Sequence, residues 1–567
     1  MYIGENKKLK INRIDVLLNL AFAGSMMSFW RDFNTKVFPG DHGDSRVSLF
    51  WMEHWFQFFQ NNVNLRDIPV LHPTSNMISG SDAFMIQGLF HSMFRFVGFD
   101  LGASFILALA TIHIVGSYSA VAILRRIDIA FPYKLMIVIL FGTMTPFWLS
   151  RNHPQLLVFP LIGWIVFYLL SYIRSKRFVN LLIATIVSFF ILMSAGYAIA
   201  FLVFFIVLLI ACLAFLEFPR NEIWLRVKSV PTRHWLGVLL VSTPFAYFFQ
   251  SIYYAKDSII GVHSKSEILF YSPSLFDLIN IPPSVMGIEK YSSVFAGILD
   301  DVNKLPNPTG AYGGSFSLLT FVVLIAVSGS VFSTLLKRGW ITTSRTYKVL
   351  SLLVVSLFFC YALILKDGRN QSIWAVTFAN LPLFESIRVM SRFSLLASLI
   401  IPFILGFGLW ELRKAFKRKI YLDRAVFLVA LVLFFGQPVN YYGNFHSSEI
   451  KVLNETEGTL KRDCNSFYLI NTNPSSDNIQ PWLVSGDALA LATRTGIPTI
   501  NGASSFFPSG YPIELFSQKD KELTLNALNQ WVSSKQLERV CLIYYSRTLS
   551  IPITTRIELF QVLNPKA

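Results

Sequence analysis

Apolar segments of bilayer-spanning length recur along most of this chain, separated by shorter polar loops. A hydrocarbon core of roughly 30 Å is crossed by a helix of about 20 apolar residues. The apolar run from 178 to 217 is too long for one crossing, so we divide it at 194–196. The pattern predicts about eleven transmembrane helices, at 12–31, 101–124, 131–150, 155–174, 178–195, 196–217, 235–254, 315–336, 346–366, 390–411 and 421–440.

Basic residues mark every second loop of this arrangement. With a cytoplasmic N-terminus, six short loops on that side hold 24 of the 49 lysines and arginines against six acidic residues. Lys and Arg are enriched in short cytoplasmic loops, so the alternation supports the count of eleven. The 24 basic residues exceed the six acidic ones by 18, which is more than the formal net charge of +16. The net charge therefore indicates membrane topology rather than nucleic-acid binding. No short cleavable signal pattern precedes the first span, which we expect to remain as a signal anchor.

Composition agrees with this interpretation, since 53% of the 567 residues are hydrophobic and only 14% are charged. A large soluble helical core is the less favoured alternative. We predict a polytopic α-helical module at 1–440 and a C-terminal extracytoplasmic α/β domain at 441–567. Within that domain, the strand-like "SFYLIN" and "RVCLIYY" flank the helical "KELTLNALNQWVSSKQL". Cys464 and Cys541, each beside a predicted strand, are candidates for one disulfide, which only the geometry can decide.

The loop at 32–100 is too polar to cross a membrane and rich in aromatic residues. We expect two helices lying in the membrane interface, one in "VSLFWMEHWFQFFQ" at 47–60 and one in "DAFMIQGLFHSMFRFVG" at 82–98. Glu53 and His54 are expected on the wet side of the first helix. The two helices would hold the acidic motif "GDHGDSR", with Asp41 and Asp44, at the membrane surface. A second large loop on the same side is predicted at 255–314.

A long first loop with an acidic motif just after the first span, followed by two interfacial helices, resembles the GT-C superfamily of integral membrane glycosyltransferases. The resemblance implies transfer of a sugar from a polyprenyl phosphate or diphosphate to an acceptor. The stretches "YSPSLFDLINIPPSVMG" at 271–287 and "LPLFESIRVMSRFSLLASL" at 381–399 resemble segments of bacterial membrane proteins that glycosylate surface polymers. In those proteins an Arg-containing turn before a late span lies near the lipid phosphate, which implies phosphate binding by Arg388 and Arg392.

Glycosyl transfer also suits these residue types on chemical grounds. A carboxylate can deprotonate the acceptor hydroxyl, and partial desolvation raises the pKa of such a group, which makes Asp44 or Asp41 the candidate base. Arginine offers a bidentate fork to a phosphate leaving group. His42 is a further phosphate-binding candidate, and His72, His153 and Glu53 are candidates for contacts to sugar or acceptor. The aromatic residues Trp482, Phe506, Phe507 and Tyr511 are sugar-stacking candidates, although core packing also explains such residues.

Structural roles compete with each assignment. Aspartates beside Gly43 are common in turns, and Arg388 and Arg392, four residues apart, could share a helix face and reach toward lipid headgroups. A flippase or transporter of lipid-linked sugars and a glycan polymerase or ligase are alternative functions. We expect a transferase of the bacterial inner membrane that uses an undecaprenyl-phosphate-linked sugar to modify a surface glycan such as lipopolysaccharide O-antigen. No metal ligands are assigned, and a divalent cation is a possible cofactor.

Overall fold

The computed structural model describes a mainly helical protein with a small sheet near the C-terminus. Side chains and backbone are described for residues 13–31, 33–34, 37–40, 43–151, 153–215, 230–254, 263–274, 318–342, 345–367, 371–378, 387–416, 418–435, 445–446, 457–472, 481–502, 506–547 and 552–559, apart from some side chains within helices and strands. Asp41 and His42 lie outside these residues.

Each of the predicted spans overlaps a helix. Among the described residues, five helical segments are long and apolar enough to cross a membrane, at Leu101–Leu124, Pro154–Ser175, Thr232–Tyr253, Thr346–Ile364 and Met390–Lys414. The count of eleven crossings stays a prediction. The helices of this part are α1 (Arg13–Trp30), α2 (Asp44–Phe59), α3 (Met85–Phe96), α4 (Leu101–Leu124), α5 (Phe131–Leu140), α6 (Thr145–Leu149), α7 (Ile162–Ser175), α8 (Phe178–Ser194), α9 (Gly196–Phe215), α10 (Thr232–Tyr253), α11 (Lys265–Phe270), α12 (Leu318–Thr342), α13 (Arg345–Ile364), α14 (Phe393–Ala415) and α15 (Lys419–Phe435).

Two helical interruptions shape this part of the chain. The predicted span at 131–150 is broken, because α5 ends at Leu140 and α6 begins at Thr145. Gly142, at a φ of +82° between them, has a conformation that favours glycine. The division between α8 and α9 lies where the length argument predicts it, with Ala195 in an extended conformation. Short 3₁₀ segments at Pro154–Leu161 and Met390–Arg392 lead into α7 and α14.

The two helices of the first loop (residues 43–100) are present, but the expected wet side of the first one is wrong. All residues from Ser45 to Phe56 except Val47 are buried, including Glu53 and His54. The reason is that α3 covers Glu53 through His91, whereas His54 bonds to the turn that follows α2. A helix near the C-terminus also packs against α2. Helix α3 instead exposes Met93 and Phe96. The location of the two helices in the membrane interface stays a prediction.

The C-terminal segment (residues 457–559) contains the sheet. Strand β3 (Ser466–Asn471) pairs in parallel with β4 (Val540–Arg547), which pairs in antiparallel fashion with β5 (Pro552–Leu559). Strands β1 (Val37–Phe38) and β2 (Phe445–His446) form a separate short pair. Cys464 and Cys541 are joined by a disulfide. The helices of this segment are α16 (Glu457–Asp463), α17 (Pro481–Thr495), α18 (Ile513–Ser517) and α19 (Lys521–Ser534).

Backbone hydrogen bonds attach the first loop to this sheet. Phe467 of β3 donates to Pro498 O at 3.1 Å, and Ile500 donates back to Phe467 O at 2.9 Å. The segment 498–500 also bonds to the first loop: His72 N donates to Thr499 O at 3.0 Å, and Thr499 N donates to Pro69 O at 3.0 Å. The first loop therefore continues the edge of the C-terminal sheet, and the two parts of the chain share one hydrophobic core.

We predict that Gly88→Ala destabilises the α2–α3 contact. A Cβ at Gly88 would lie 2.3 Å from the ring of Trp55, whose indole donates to Ala83 O at 2.8 Å. Relieving this overlap costs about 1–3 kcal/mol, which exceeds the helix propensity gained from alanine. Thermal unfolding in detergent should show a lower midpoint. The matched control is Gly329→Ala in α12, where a Cβ meets nothing within 4 Å and the midpoint should not fall. Equal effects of the two changes would contradict the packing argument.

Candidate active site

Asp44 and His153 meet at the start of α2. Asp44 is the first residue of α2, where the helix dipole stabilises a negative charge, and its carboxylate Oδ2 lies 3.3 Å from His153 Nδ1. The Asp44 side chain is 41% exposed, so its desolvation is smaller than expected, whereas that of His153 is 8% exposed. Burial lowers the pKa of His153 well below its ordinary value, and Arg392 and Arg388 lower it further. A neutral imidazole with its proton on Nδ1 can donate to the Asp44 carboxylate and orient it.

Arg392 supplies a buried positive charge beside this pair. It ends the 3₁₀ turn that leads into α14, and it is 7% exposed. Its guanidinium lies 4.9 Å from the centre of the Tyr197 ring, and its buried Nε makes no hydrogen bond within the described part of the chain. Burying a guanidinium without full hydrogen bonding is costly, and a bound anion would offset part of that cost.

Asp82, which the sequence argument did not single out, is the acidic neighbour of Arg392. Its Oδ1 accepts a hydrogen bond of 3.0 Å from Gly196 N, the first residue of α9. Burial raises the pKa of Asp82 from 3.8 to about 6, although the Gly196 bond and Arg392 lower it in part. Ile86 N donates to Ser194 Oγ at 2.9 Å. The interruption between α8 and α9 therefore holds the part of the first loop that carries Asp82.

Arg388 differs from Arg392 because a carboxylate already faces it. Its Nη1 donates to Glu267 Oε1 at 2.7 Å, and His263 Nδ1 lies 2.9 Å from the other oxygen of Glu267. Although burial raises the pKa of Glu267, the bonds from Arg388 and His263 outweigh it and lower the pKa below its ordinary value. The ring of Phe506 stacks on His263 at 4.7 Å. The two arginines do not share a helix face, since Arg388 precedes the 3₁₀ turn.

A buried ion pair fixes α2 against the C-terminal segment. Arg46 Nη2 donates to Asp487 Oδ1 of α17, and both side chains are fully buried. Arg46 is two residues from Asp44, so the position of the catalytic candidate depends on a residue 441 positions away from Arg46 along the chain.

The other predicted residues lie apart from this cluster. The Glu53 carboxylate is buried, accepts a bond of 2.8 Å from His91 and lies 3.2 Å from Arg95 Nε, so it connects α2 to α3. His72, a first-loop residue, lines a cleft between that loop and α17. The proposed sugar contacts of both residues stay predictions, as do the roles of Asp41 and His42.

Of the aromatic candidates, Phe507 and Tyr511 stack on each other at 5.3 Å, and the Tyr511 hydroxyl donates to Ile500 O. Tyr511 is thus part of the core. Phe506 contacts the site through His263. The Trp482 side chain lies outside the described residues.

The described cluster combines a carboxylate, a neutral histidine and a buried guanidinium. The carboxylate can accept a proton, and the histidine can orient the carboxylate. The guanidinium can stabilise a negative charge that develops on a phosphate. Within the described ranges, no group of three or more His, Cys, Asp or Glu is placed to hold a metal ion. A divalent cation near the first-loop carboxylates stays a prediction.

Solved structures of one enzyme are similar to this chain. The crystal structure of the Archaeoglobus fulgidus oligosaccharyltransferase in the apo form matches with a TM-score of 0.47 and 11% identity, over 95% of this chain and 70% of that one. The same enzyme in complex with Zn and sulfate matches with a TM-score of 0.46 and 12% identity, over 94% and 68%. At this level of similarity these matches decide neither the activity nor the role of any residue. No model of a known protein family matches the sequence, and no curated protein matches it significantly.

We predict that Asp487→Asn strongly destabilises the protein, because it leaves the Arg46 charge buried without its counter-ion. The loss in the free energy of unfolding should be about 3–5 kcal/mol, measured by denaturant titration in detergent. The double variant Arg46→Met with Asp487→Leu removes both charges and should lose less than the single variant.

The matched control is Glu457→Gln. It breaks the partly exposed pair that Glu457 makes with Arg494, which lies on the same helix as Asp487. That change should cost less than about 1 kcal/mol. Similar losses for Asp487→Asn and Glu457→Gln would show that burial does not set the strength of the Arg46 pair.

We further predict a pH dependence of stability caused by Asp82. Since burial raises the pKa of this carboxyl from 3.8 to about 6, its protonated form favours the folded state. This contribution is complete below about pH 4 and is lost as the pH rises through about 6, by about 1–3 kcal/mol. Unfolding midpoints should show the advantage of Asp82→Asn over wild type growing from about pH 4 to about pH 6 and staying constant at higher pH. Parallel curves for the two proteins would contradict this assignment.

Proposed function

We propose that the protein is a membrane glycosyltransferase that uses a lipid-phosphate-linked sugar. The observation that carries the proposal is the contact of Asp44 with a neutral His153 beside the buried guanidinium of Arg392. Glycosyl transfer removes a proton from the acceptor hydroxyl and leaves a negative charge on the phosphate. A base can take that proton, and a cation beside it can stabilise that charge. The donor we propose is an undecaprenyl-phosphate-linked sugar, and the acceptor is a bacterial surface glycan such as lipopolysaccharide O-antigen.

In the proposed reaction, the acceptor oxygen bonds to the anomeric carbon as the bond from that carbon to the phosphate oxygen breaks. Asp44 takes the proton of the acceptor hydroxyl. His153 keeps its Nδ1 proton and donates a hydrogen bond from it to the Asp44 carboxylate, which orients the carboxylate; the lowered pKa of His153 leaves the imidazole neutral at pH 7.

Arg392 binds the phosphate and stabilises the charge that develops on the leaving oxygen. Arg388, already bonded to Glu267, is the weaker candidate for direct contact, although its charge still adds to the positive potential near His153. We place this site on the extracytoplasmic side of the bacterial inner membrane, together with the C-terminal segment. The N-terminus would then be cytoplasmic.

The experiment that tests the proposal compares Asp44→Asn and Arg392→Gln with wild type at equal membrane abundance. Asp44→Asn should lower kcat by about 10²–10⁴ while donor binding persists, because the amide cannot accept the proton. Arg392→Gln should raise KM for the donor because the bound phosphate loses its partner, and it should lower kcat because the larger charge of the leaving phosphate loses more. Mass spectrometry of the surface glycan measures the product in cells, and purified enzyme provides the kinetics.

Asp100→Asn is the matched control. Asp100 is another first-loop aspartate at the start of a helix, and it caps α4 by accepting a hydrogen bond of 2.7 Å from Ala103 N. It should leave the added sugar unchanged. An unchanged glycan in the Asp44→Asn cells would remove Asp44 from the chemistry. Movement of a lipid-linked sugar across the membrane without any transfer by wild type would indicate a transporter instead.

A further inference from the structure

A cleft of about 400 Å³ lies between the first loop and the C-terminal segment. Its volume falls within the range of small-molecule sites, which is about 300–1,000 Å³. One wall comes from α2 and the following turn, and the other comes from the end of α17 and Pro498. Polar residues on its lining include His54, Gln57, Asp67, His72, Thr74 and Thr493.

The lining presents almost no free charge. It contains no lysine or arginine. Its one carboxylate, Asp67, accepts bonds of 2.8 Å from Asn64 Nδ2 and 2.9 Å from Asn76 N, so both oxygens are already engaged. Burial lowers the pKa of His54 and of His72, which are therefore neutral at pH 7. Such a surface suits an uncharged ligand rich in hydroxyl groups and does not suit a phosphate.

His72 is the lining residue best placed to bind such a ligand. Its backbone is fixed, since His72 N donates to Thr499 O at 3.0 Å and His72 O accepts from Trp531 Nε1 at 2.9 Å. Its half-buried ring makes no hydrogen bond to any residue that the structure describes. The other histidine is occupied, because His54 Nε2 lies 3.1 Å from the carbonyl oxygens of both Asn64 and Leu65. A neutral imidazole offers one donor and one acceptor to neighbouring hydroxyl groups.

The cleft is remote from the reacting groups. His54 and Gln57 follow Asp44 by ten and thirteen residues on the same helix. At a rise of 1.5 Å per residue, they lie about 15–20 Å from Asp44 along the axis. A ligand in the cleft cannot place its own hydroxyl at Asp44, so the cleft can serve only a distant part of a long substrate.

We propose that this cleft binds neutral sugar residues of an extended acceptor glycan, several residues away from the hydroxyl that reacts. The inference rests on the proposed transferase function and specifies the acceptor as a polymer. Binding energy from a remote part of a substrate lowers KM for long acceptors and leaves short acceptors unaffected.

The test uses the full-length protein in lipid nanodiscs and His72→Leu, which removes the ring's donor and acceptor. The probes are neutral oligosaccharides released by mild acid from the host's surface polysaccharide, divided into mono- and disaccharides and longer chains. We expect His72→Leu to raise KM for the longer chains about three- to tenfold, as for loss of a neutral hydrogen bond, with KM for short acceptors unchanged. His72→Gln, which keeps a neutral donor and acceptor, should restore most of the affinity.

Calorimetric titration with the same probes measures binding without turnover, and Thr74→Trp provides a second variant that fills the cleft. Thr74→Trp should abolish the preference for longer chains while leaving transfer to short acceptors intact. Equal effects on short and long acceptors, or no length preference in wild type, would overturn the inference and leave the transferase function standing. Absence of transfer by wild type to either fraction would instead overturn the proposed function, and the titration would still report on the cleft.

Discussion

The ion pair between Arg46 and Asp487 is the contact on which the geometry of the site depends. Both groups are fully buried, so the pair is kept only while α2 and α17 stay in register. Asp44 and Arg46 both lie in the first turn of α2. The orientation of that turn, which the Arg46 pair fixes, sets the direction of the Asp44 carboxylate. The hydrogen bonds between Pro69–His72 and the edge of the C-terminal sheet support the other end of the same contact. The C-terminal segment thus acts as a support for the candidate base as well as one wall of the cleft.

Charge balance within the site distinguishes the two arginines that sequence treats alike. Arg388 and Glu267 form a direct pair, and His263 closes the other side of that carboxylate. Arg392 has Asp82 as a charged neighbour without a direct pair. A buried guanidinium that makes no direct ion pair within the described residues keeps more of its positive potential for a ligand. This difference, rather than the presence of two arginines, is what favours phosphate binding at Arg392.

Interrupted helices position several of these groups. The break at Ala195 frees Gly196 N for Asp82 and Ser194 Oγ for Ile86, so the first loop is held by groups that a continuous helix would have used internally. The break after Leu140 leaves the carbonyl of Gly142 free to bond His113, whose Nε2 lies 2.8 Å from Gly142 O. Trp30 donates to the other ring nitrogen of His113. Both ring nitrogens of His113 are therefore hydrogen-bonded within the core.

The sequence by itself determined the features that depend on local periodicity. Apolar run lengths located the helices and the division at 194–196, and two short strand-like stretches located β3 and β4. The acidic motif and the Arg-containing turn pointed to Asp44 and Arg392. The tertiary structure alone decided the partners, since Arg46 and Asp487 are 441 residues apart, Asp82 and Gly196 are 114 apart, and Arg388 and Glu267 are 121 apart. The polar side of α2 was misjudged for the same reason, because a single-chain pattern shows which positions are polar but not which distant element covers them.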